Sequence, residues 1–207
     1  MLKYASMAAL SAMAAGQEEA DKCRALVMSG GANYGAWEVG IIWGLLHYGN
    51  PADYTWDVMT GVSVGSINTC AGACFAKGDE LNMSVFLSDA WQNLTTPDIW
   101  VYWQDSNVAD WIFEKPGILD TSPAVPFLAS LVKDLGSIKR RFTMATVDVG
   151  TGEYIGWDQK SVSFEELPHA AFASGSMPAI FPYQIFQGHV LMDGGTVQNI
   201  NIDSAVN

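Results

Sequence analysis

The sequence contains little positive charge. Ten Lys and Arg residues stand against 22 Asp and Glu residues, which gives a formal net charge of -12. Nucleic acids bind clustered basic side chains, and the only adjacent cations are at 139–141, so we expect no nucleic-acid partner. The same balance argues against electrostatic docking on anionic lipid, but it leaves apolar and zwitterionic surfaces open.

Long hydrophobic runs and cysteines are also scarce. No run of eighteen apolar residues occurs, so the sequence predicts no membrane-spanning helix. The three cysteines are an odd number and define no disulfide framework, and Cys70 and Cys74, four apart on a predicted helix, are expected to be packing residues. No spacing of His and Cys supplies the four ligands of a zinc site, so we expect no metal and no cofactor. The composition that is present, 49% hydrophobic and 15% charged over 207 residues, predicts one well-buried domain.

The first residues follow the order of a secretory signal peptide. Lys3 precedes an uncharged stretch rich in Ala and Met, and small residues at 12–14 come before a polar segment. We expect residues 1–16 to form this leader, with cleavage near 14–16 and a destination outside the cell or in the endomembrane lumen. The stretch contains few Leu or Phe, so a frayed helical leader on a cytoplasmic protein stays open as the alternative.

Two strand-turn-helix units follow each other in the first half of the chain. The first has an apolar run at 25–28, a Ser-Gly-Gly turn, and a helix at 36–48 that is apolar on nearly all sides, as expected of a helix buried in a large core. The second has a strand at 54–60 and a helix at 66–76. Successive units of this kind predict an α/β domain over 24–207, with a mostly parallel central sheet flanked by helices.

The second half adds a helix, a hairpin and a last strand. The patterns predict the helix at 124–135, the hairpin around Gly150-Thr151-Gly152, and a strand at 189–192 that ends at Asp193. A tryptophan-rich segment at 87–113 either lines an acyl-chain groove or packs in the core, and it contains Trp91, Trp100, Trp103 and Trp111.

Ser63 lies between two glycines in the stretch GVSVG at 61–65. In a nucleophile elbow the serine occupies a tight strand-to-helix turn, and its neighbours must be small. The strand pattern before Ser63 and the helix pattern after it supply that context. The alternative is an ordinary glycine-serine turn, because the pattern is short.

A serine nucleophile needs a base within hydrogen-bond reach. His47 lies on the apolar helix, but His169 or His189 would complete the order serine, acid, histidine if Asp148 were the acid. The rival base is Asp193 itself, because a carboxylate beside a serine in a desolvated site gains proton affinity. The Asp-Gly-Gly sequence at this position also fits a plain turn.

The glycine-rich loop at 29–35 connects the first strand to the first helix. Its backbone N–H groups can therefore point at one spot, with the helix dipole behind them, and stabilise the oxyanion of an acyl-transfer reaction. A phosphate-binding loop is the competing interpretation, but the loop contains neither Gly-Lys-Ser/Thr nor the spacing G-x-G-x-x-G.

Four stretches, in this order, resemble the patatin-like phospholipase family. MSGGANYGAWEVG at 28–40 looks like its oxyanion loop and first helix, and GVSVGSIN at 61–68 looks like its nucleophile elbow. ASGSMPAIFP at 173–182 is similar to its Ala-Ser-x-x-x-Pro segment, and MDGGTVQN at 192–199 to its aspartate motif. Four ordered motifs are far more specific than any one of them.

The resemblance implies a three-layer sandwich and a lipid acyl hydrolase with a Ser-Asp dyad. Ser63 would form an acyl-enzyme on a phospholipid or another acyl lipid, with Asp193 as general base and without histidine. Gly30, Gly31 and Ala32 would form the oxyanion hole, and no metal would be needed. The implied partner is a lipid substrate, with peripheral membrane contact. A lipid-binding or storage protein of the same fold that has lost turnover is the alternative.

Three positions depart from the family pattern. Ala32 replaces the third glycine of the loop, and its N–H stays a usable donor provided that its φ is negative. Tyr34 replaces a basic residue, which removes a partner for phosphate headgroups. Asn201 replaces a common proline, and the chain stops 14 residues after Asp193, where family members continue with further helix. We therefore expect the domain to be truncated at its C-terminal end.

Overall fold

The computed structural model of the chain describes residues 22–104, 109–110 and 114–206. The predicted leader at 1–16 and Trp111 of the tryptophan-rich segment lie outside the described residues. Within the described ranges, no helix combines the length and the apolar character needed to cross a membrane. In the same part of the chain, no three His, Cys, Asp or Glu side chains converge as a metal site would require. Cys70 and Cys74 are both fully buried, which confirms them as packing residues.

The described residues form a six-stranded sheet. Its strands are β1 (Ala25–Met28), β2 (Val58–Val62), β3 (Arg141–Asp148), β4 (Tyr154–Asp158), β5 (Gln184–Phe186) and β6 (His189–Asp193). The pairs β1–β2 and β2–β3 are parallel, β4 and β6 are antiparallel to β3, and β5 is antiparallel to β6. The strands β1, β2, β3 and β5 therefore run in one direction, and β4 and β6 run in the other. This arrangement confirms a mixed and mostly parallel sheet.

The strands β2 and β6 lie end to end along one edge of β3. Val62 pairs with Ala145, and Asp193 pairs with the next residue, Thr146. β4 pairs with residues 143–147 of β3, so it occupies the opposite edge. Because β2 and β6 run in opposite directions, their carboxyl ends face each other at this point, which brings the residues that follow β2 next to Asp193.

The helices follow the predicted order. They are α1 (Gly35–Tyr48), α2 (Val64–Gly72), α3 (Glu80–Asn93), α4 (Thr96–Ile99), α5 (Ala124–Val132), α6 (Leu167–Ser174) and α7 (Asp203–Val206). The helix predicted at 124–135 is α5 together with a 3₁₀ turn at Lys133–Leu135. The predicted hairpin joins β3 to β4, with Gly152 at a φ of 74°.

The sheet is covered on both faces at β2, whose five residues are all buried. Adjacent residues of a strand point to opposite faces. Met59 packs against α2 so closely that a Cβ on Gly72 would overlap its side chain. Thr60 points the other way, and its hydroxyl donates a hydrogen bond to the Asn201 carbonyl at 3.0 Å. Helices thus cover one face, and the C-terminal segment covers the other.

The prediction that α1 is buried on all sides is wrong. Its inner face is buried through Val39, Ile42 and Leu46, but its outer face exposes large apolar side chains: Trp37, Ile41, Leu45 and Tyr48. A helix that is apolar all round has no polar stripe to indicate which side faces solvent.

A buried ion pair attaches α3 to the sheet. Glu80, the first residue of α3, lies 2.9 Å from the guanidinium of Arg140, and their side chains are 3% and 1% exposed. Arg140 also donates hydrogen bonds to the carbonyls of Phe75 and Ala76, and Glu80 accepts one from the Trp56 N–H. Nε and one terminal nitrogen of Arg140 therefore have partners, whereas Nη1 is buried and has no hydrogen-bond partner within the described residues.

Candidate active site

Ser63 occupies a strained turn between β2 and α2. Its backbone has φ 53° and ψ -124°, a region that L-residues rarely adopt. A Cβ on Gly65 would lie 2.6 Å from the Met28 carbonyl oxygen, and a Cβ on Gly61 would overlap the Gly65 carbonyl. Both flanking positions therefore require glycine, and the turn has the geometry of the predicted elbow.

Ser174, at the end of α6, holds this turn in place. The Ser63 N–H donates to Ser174 Oγ at 2.9 Å, and the Ser66 hydroxyl donates to the same oxygen at 2.8 Å. The Ser174 hydroxyl in turn donates to the Ala145 carbonyl at 2.5 Å. One hydroxyl thus uses its donor and both of its lone pairs. Sequence reasoning noted the segment around Ser174 but did not assign this role.

Asp193 lies next to Ser63 and is 4% exposed. Burial raises the pKa of Asp193 above its usual range, while hydrogen bonding by the Ser63 side chain and by the Gly195 N–H lowers it. The Gly195 N–H donates to Asp193 Oδ1 at 2.7 Å, and the Asp193 N–H donates to the Ser176 carbonyl at 2.9 Å. A carboxylate with raised proton affinity beside a serine suits general-base chemistry.

The glycine-rich loop packs against the elbow and is held by Asn199. A Cβ on Gly30 would lie 3.0 Å from Ser63 Cβ. The Gly30 N–H donates to the Asn199 carbonyl, and the Asn199 side-chain amide donates to the Gly30 carbonyl, each at 3.1 Å. The Gly30 N–H is therefore already used. The N–H groups of Gly31 and Ala32 donate to no acceptor within the described residues, and they remain as candidate oxyanion donors.

Ala32 does not meet the condition of a negative φ. Its φ is 50°, in the left-handed region where an L-residue is strained. The Ala32 N–H is still present as a donor. The left-handed backbone conformation at Ala32 costs roughly 1 kcal/mol in stability relative to an unstrained one.

A polar network behind the loop was missed by the sequence reasoning. Glu38 accepts hydrogen bonds from the Ser29 N–H at 2.9 Å and from the Asn68 side-chain amide at 3.2 Å. Asn68 also donates to the Gly35 carbonyl and accepts from the Trp91 indole N–H at 2.8 Å. Burial raises the pKa of Glu38, and the hydrogen bonds from Ser29 and Asn68 lower it. The network ties the loop to α1, α2 and α3, and no sequence spacing signals it because its members come from separate segments.

An apolar cavity of about 480 Å³ opens beside Ser63. Ser63 and Ala32 are among its lining residues, and most of the others are aliphatic or aromatic, including Ile67, Leu94, Ile99, Phe172, Met177 and Phe181. Cavities of this size and character bind small apolar ligands. Trp91 and Trp100 also line it, whereas Trp103 donates its indole N–H to the Gly117 carbonyl at 2.9 Å.

The three histidines make their contacts elsewhere. His189 Nδ1 lies 2.8 Å from Asp148 Oδ2, so the acid and the histidine of the alternative triad do meet. His189 lies four residues before Asp193 on β6, and at the rise of a strand this separation is about 13 Å. His169 packs on the Phe186 ring, and His47 stacks on Trp43. Among the described residues, the titratable side chain that meets Ser63 is therefore the carboxyl of Asp193 and none of these histidines.

Comparison with known proteins agrees with this arrangement at the level of the family. Residues 26–206 match the family model described as patatin-like phospholipase, which is nearly the whole chain, so this protein belongs to that family. No curated protein matches the sequence. Among solved structures, one that is similar is VipD from Legionella pneumophila, with a TM-score of 0.47 and 11% sequence identity, over 86% of this chain and 47% of that chain. The chain thus spans about half the length of that protein.

Proposed function

We propose that this protein hydrolyses carboxylic ester bonds of acyl lipids through a Ser63 acyl-enzyme, with Asp193 as general base. Membership of the patatin-like phospholipase family supports the hydrolase class. The observation that carries the residue assignment is a strained serine next to a buried aspartate whose pKa is raised. The apolar cavity beside Ser63 has room for an acyl chain.

The chemistry proceeds in two steps. Ser63 Oγ attacks the ester carbonyl carbon while Asp193 accepts the hydroxyl proton, and the carbonyl oxygen becomes an oxyanion. The N–H groups of Gly31 and Ala32 stabilise that oxyanion, and one such donor is worth roughly a hundredfold or more in rate. Asp193 then returns the proton to the departing alcohol. In the second step a water molecule attacks the acyl carbonyl carbon while Asp193 accepts its proton. The bond from that carbon to Ser63 Oγ then breaks, Asp193 returns the proton to Ser63 Oγ, and the fatty acid is released.

Covalent labelling with a fluorophosphonate probe tests the nucleophile. We expect the probe to modify Ser63 in the wild-type protein, and p-nitrophenyl butyrate hydrolysis to vanish in Ser63→Ala. Ser130→Ala is a matched control, because Ser130 is an exposed hydroxyl on α5. Absence of labelling in well-folded protein, or equal hydrolysis by wild type and Ser63→Ala, would contradict the proposal.

A lipid-binding protein with little turnover is the second candidate, and one feature favours it. The oxyanion loop has a strained alanine at Ala32 and an N–H at Gly30 that is already hydrogen-bonded. If this second candidate is right, a fluorescent fatty acid should bind in the cavity of the wild-type protein. The same protein should neither hydrolyse p-nitrophenyl butyrate nor react with the fluorophosphonate probe. Measurable turnover that Ser63→Ala abolishes would rule it out.

A further inference from the structure

The outer face of α1 is an unusually apolar surface. We define it as Tyr34, Trp37, Ile41, Leu45 and Tyr48, which recur every three or four residues and are 37–84% exposed. This spacing puts all five on one side of the helix over about 21 Å. Gly40 and Gly44 lie between them, and a Cβ at either would meet nothing within 4 Å. Contiguous exposed apolar surface of this kind marks an interaction site.

The outer face of α1 begins at the candidate active site. Tyr34 and Trp37 line a second cavity of about 380 Å³ together with Gly30, Gly31 and Val64. Val64, which follows the nucleophile, also lines the cavity beside Ser63. A molecule bound along this face would therefore reach the oxyanion loop.

The charge around this face selects the kind of surface that fits it. Residues 29–48 contain no Lys or Arg, and their only acidic residue is Glu38, which lines the same second cavity. With a formal net charge of -12 on the chain, anionic lipid is repelled. Trp and Tyr side chains favour the interface between lipid and water, and aromatic faces attract quaternary ammonium groups. These properties match a neutral bilayer that carries choline headgroups.

We propose that the outer face of α1 docks this protein on a zwitterionic phosphatidylcholine surface, next to the entrance of its catalytic cavity. The benefit to catalysis rests on the proposed function, because a lipid hydrolase must take its substrate from an aggregate. Docking itself needs no turnover, so the two can be tested separately.

Vesicle flotation with phosphatidylcholine tests the docking in the Ser63→Ala background, where no lipid is consumed. The double variant Ile41→Ser/Tyr48→Ser removes two exposed side chains that line neither cavity, and Ile185→Ser removes an apolar side chain that is 73% exposed on β5. We expect the double variant to bind at least about tenfold more weakly and Ile185→Ser to bind as the parent does. With Ser63 intact, the double variant should lose hydrolysis of vesicle lipid but keep hydrolysis of p-nitrophenyl butyrate.

Three results would overturn the docking proposal. The first is equal vesicle binding by the double variant and its parent. The second is tighter binding when phosphatidylglycerol replaces part of the phosphatidylcholine, because repulsion between the negatively charged protein and anionic lipid should weaken binding. The third is a dimer of the parent that Ile41→Ser/Tyr48→Ser dissociates without changing vesicle binding, which would assign the face to a second copy of the chain. If wild type cleaves no ester while Ser63→Ala still binds vesicles, the proposed function fails and docking is supported.

Discussion

Replacing Ser174 by alanine should destabilise the protein and disturb the elbow together. Ser174 is fully buried, and its oxygen is the acceptor for the Ser63 N–H and the Ser66 hydroxyl. A buried group left without a partner costs about 1–3 kcal/mol. The Ser66 hydroxyl is free to rotate about its C–O bond, whereas the Ser63 N–H is fixed by the backbone. We therefore expect Ser174→Ala to lower the free energy of unfolding by about 3 kcal/mol in urea titrations.

The same substitution should slow the reaction of Ser63. Without its acceptor, the turn can relax from its φ of 53°, and the hydroxyl shifts relative to Asp193. We expect fluorophosphonate labelling to slow by about tenfold under conditions where the variant stays folded.

Ser176→Ala is the matched control for this prediction. Ser176 is equally buried and close in sequence, but its hydroxyl donates only to the Phe172 carbonyl, one turn back, at 3.0 Å. We expect a loss of about 1 kcal/mol and normal labelling. If Ser174→Ala were no less stable than Ser176→Ala and reacted at the wild-type rate, the assignment of Ser174 as the support of the elbow would be refuted.

Three further predictions follow from the site and the core. Asp193→Asn should lower ester turnover by about a hundredfold or more, which steady-state assays measure. Because burial raises the pKa of Asp193, its contribution to stability is full below the ordinary carboxyl pKa of 3.8 and is lost as pH rises through the raised value. Asp193→Asn should therefore be at least as stable as wild type at neutral pH, and a lower urea midpoint would contradict this. Ala32→Gly should raise the free energy of unfolding by about 1 kcal/mol by relieving the strain at a φ of 50°, and a lower urea midpoint than that of wild type would contradict it. Arg140→Met should cost about 3–5 kcal/mol in the same assay, because it leaves Glu80 buried without its partner. The control Lys77→Met, at the exposed pair with Asp57, should cost less than about 1 kcal/mol, and equal losses would contradict the burial argument.

Local patterns in the sequence were sufficient for the elements that carry the candidate dyad. The glycines around Ser63 predict a tight turn, and the strand pattern before Asp193 predicts a strand end, both of which the structure confirms. The predicted hairpin and the helix at 124–135 are also present. In each case a few neighbouring residues determine the backbone, so the information lies close together in the chain.

The supports of the site could not be predicted in this way. Ser174 and Asn199 act through hydrogen bonds to backbone groups of distant segments, and Glu38 joins the nearby Ser29 N–H to the side chain of Asn68 on another helix. Such contacts leave no periodicity in the sequence. The exposed side of α1 was missed for a related reason. Its apolar residues do not distinguish a helix inside a core from one that turns half of its surface to a partner.

The pairing of two strands on one edge of β3 has a consequence for variation in this family. Val62 and Asp193 pair with successive residues of β3, Ala145 and Thr146, so the backbone of β3 sets their separation. Insertions and deletions in the long connections between β2 and β6 can change the shape of the cavity without moving either group. A shift of β6 by a single position would instead turn the Asp193 side chain to the opposite side of the sheet, away from Ser63.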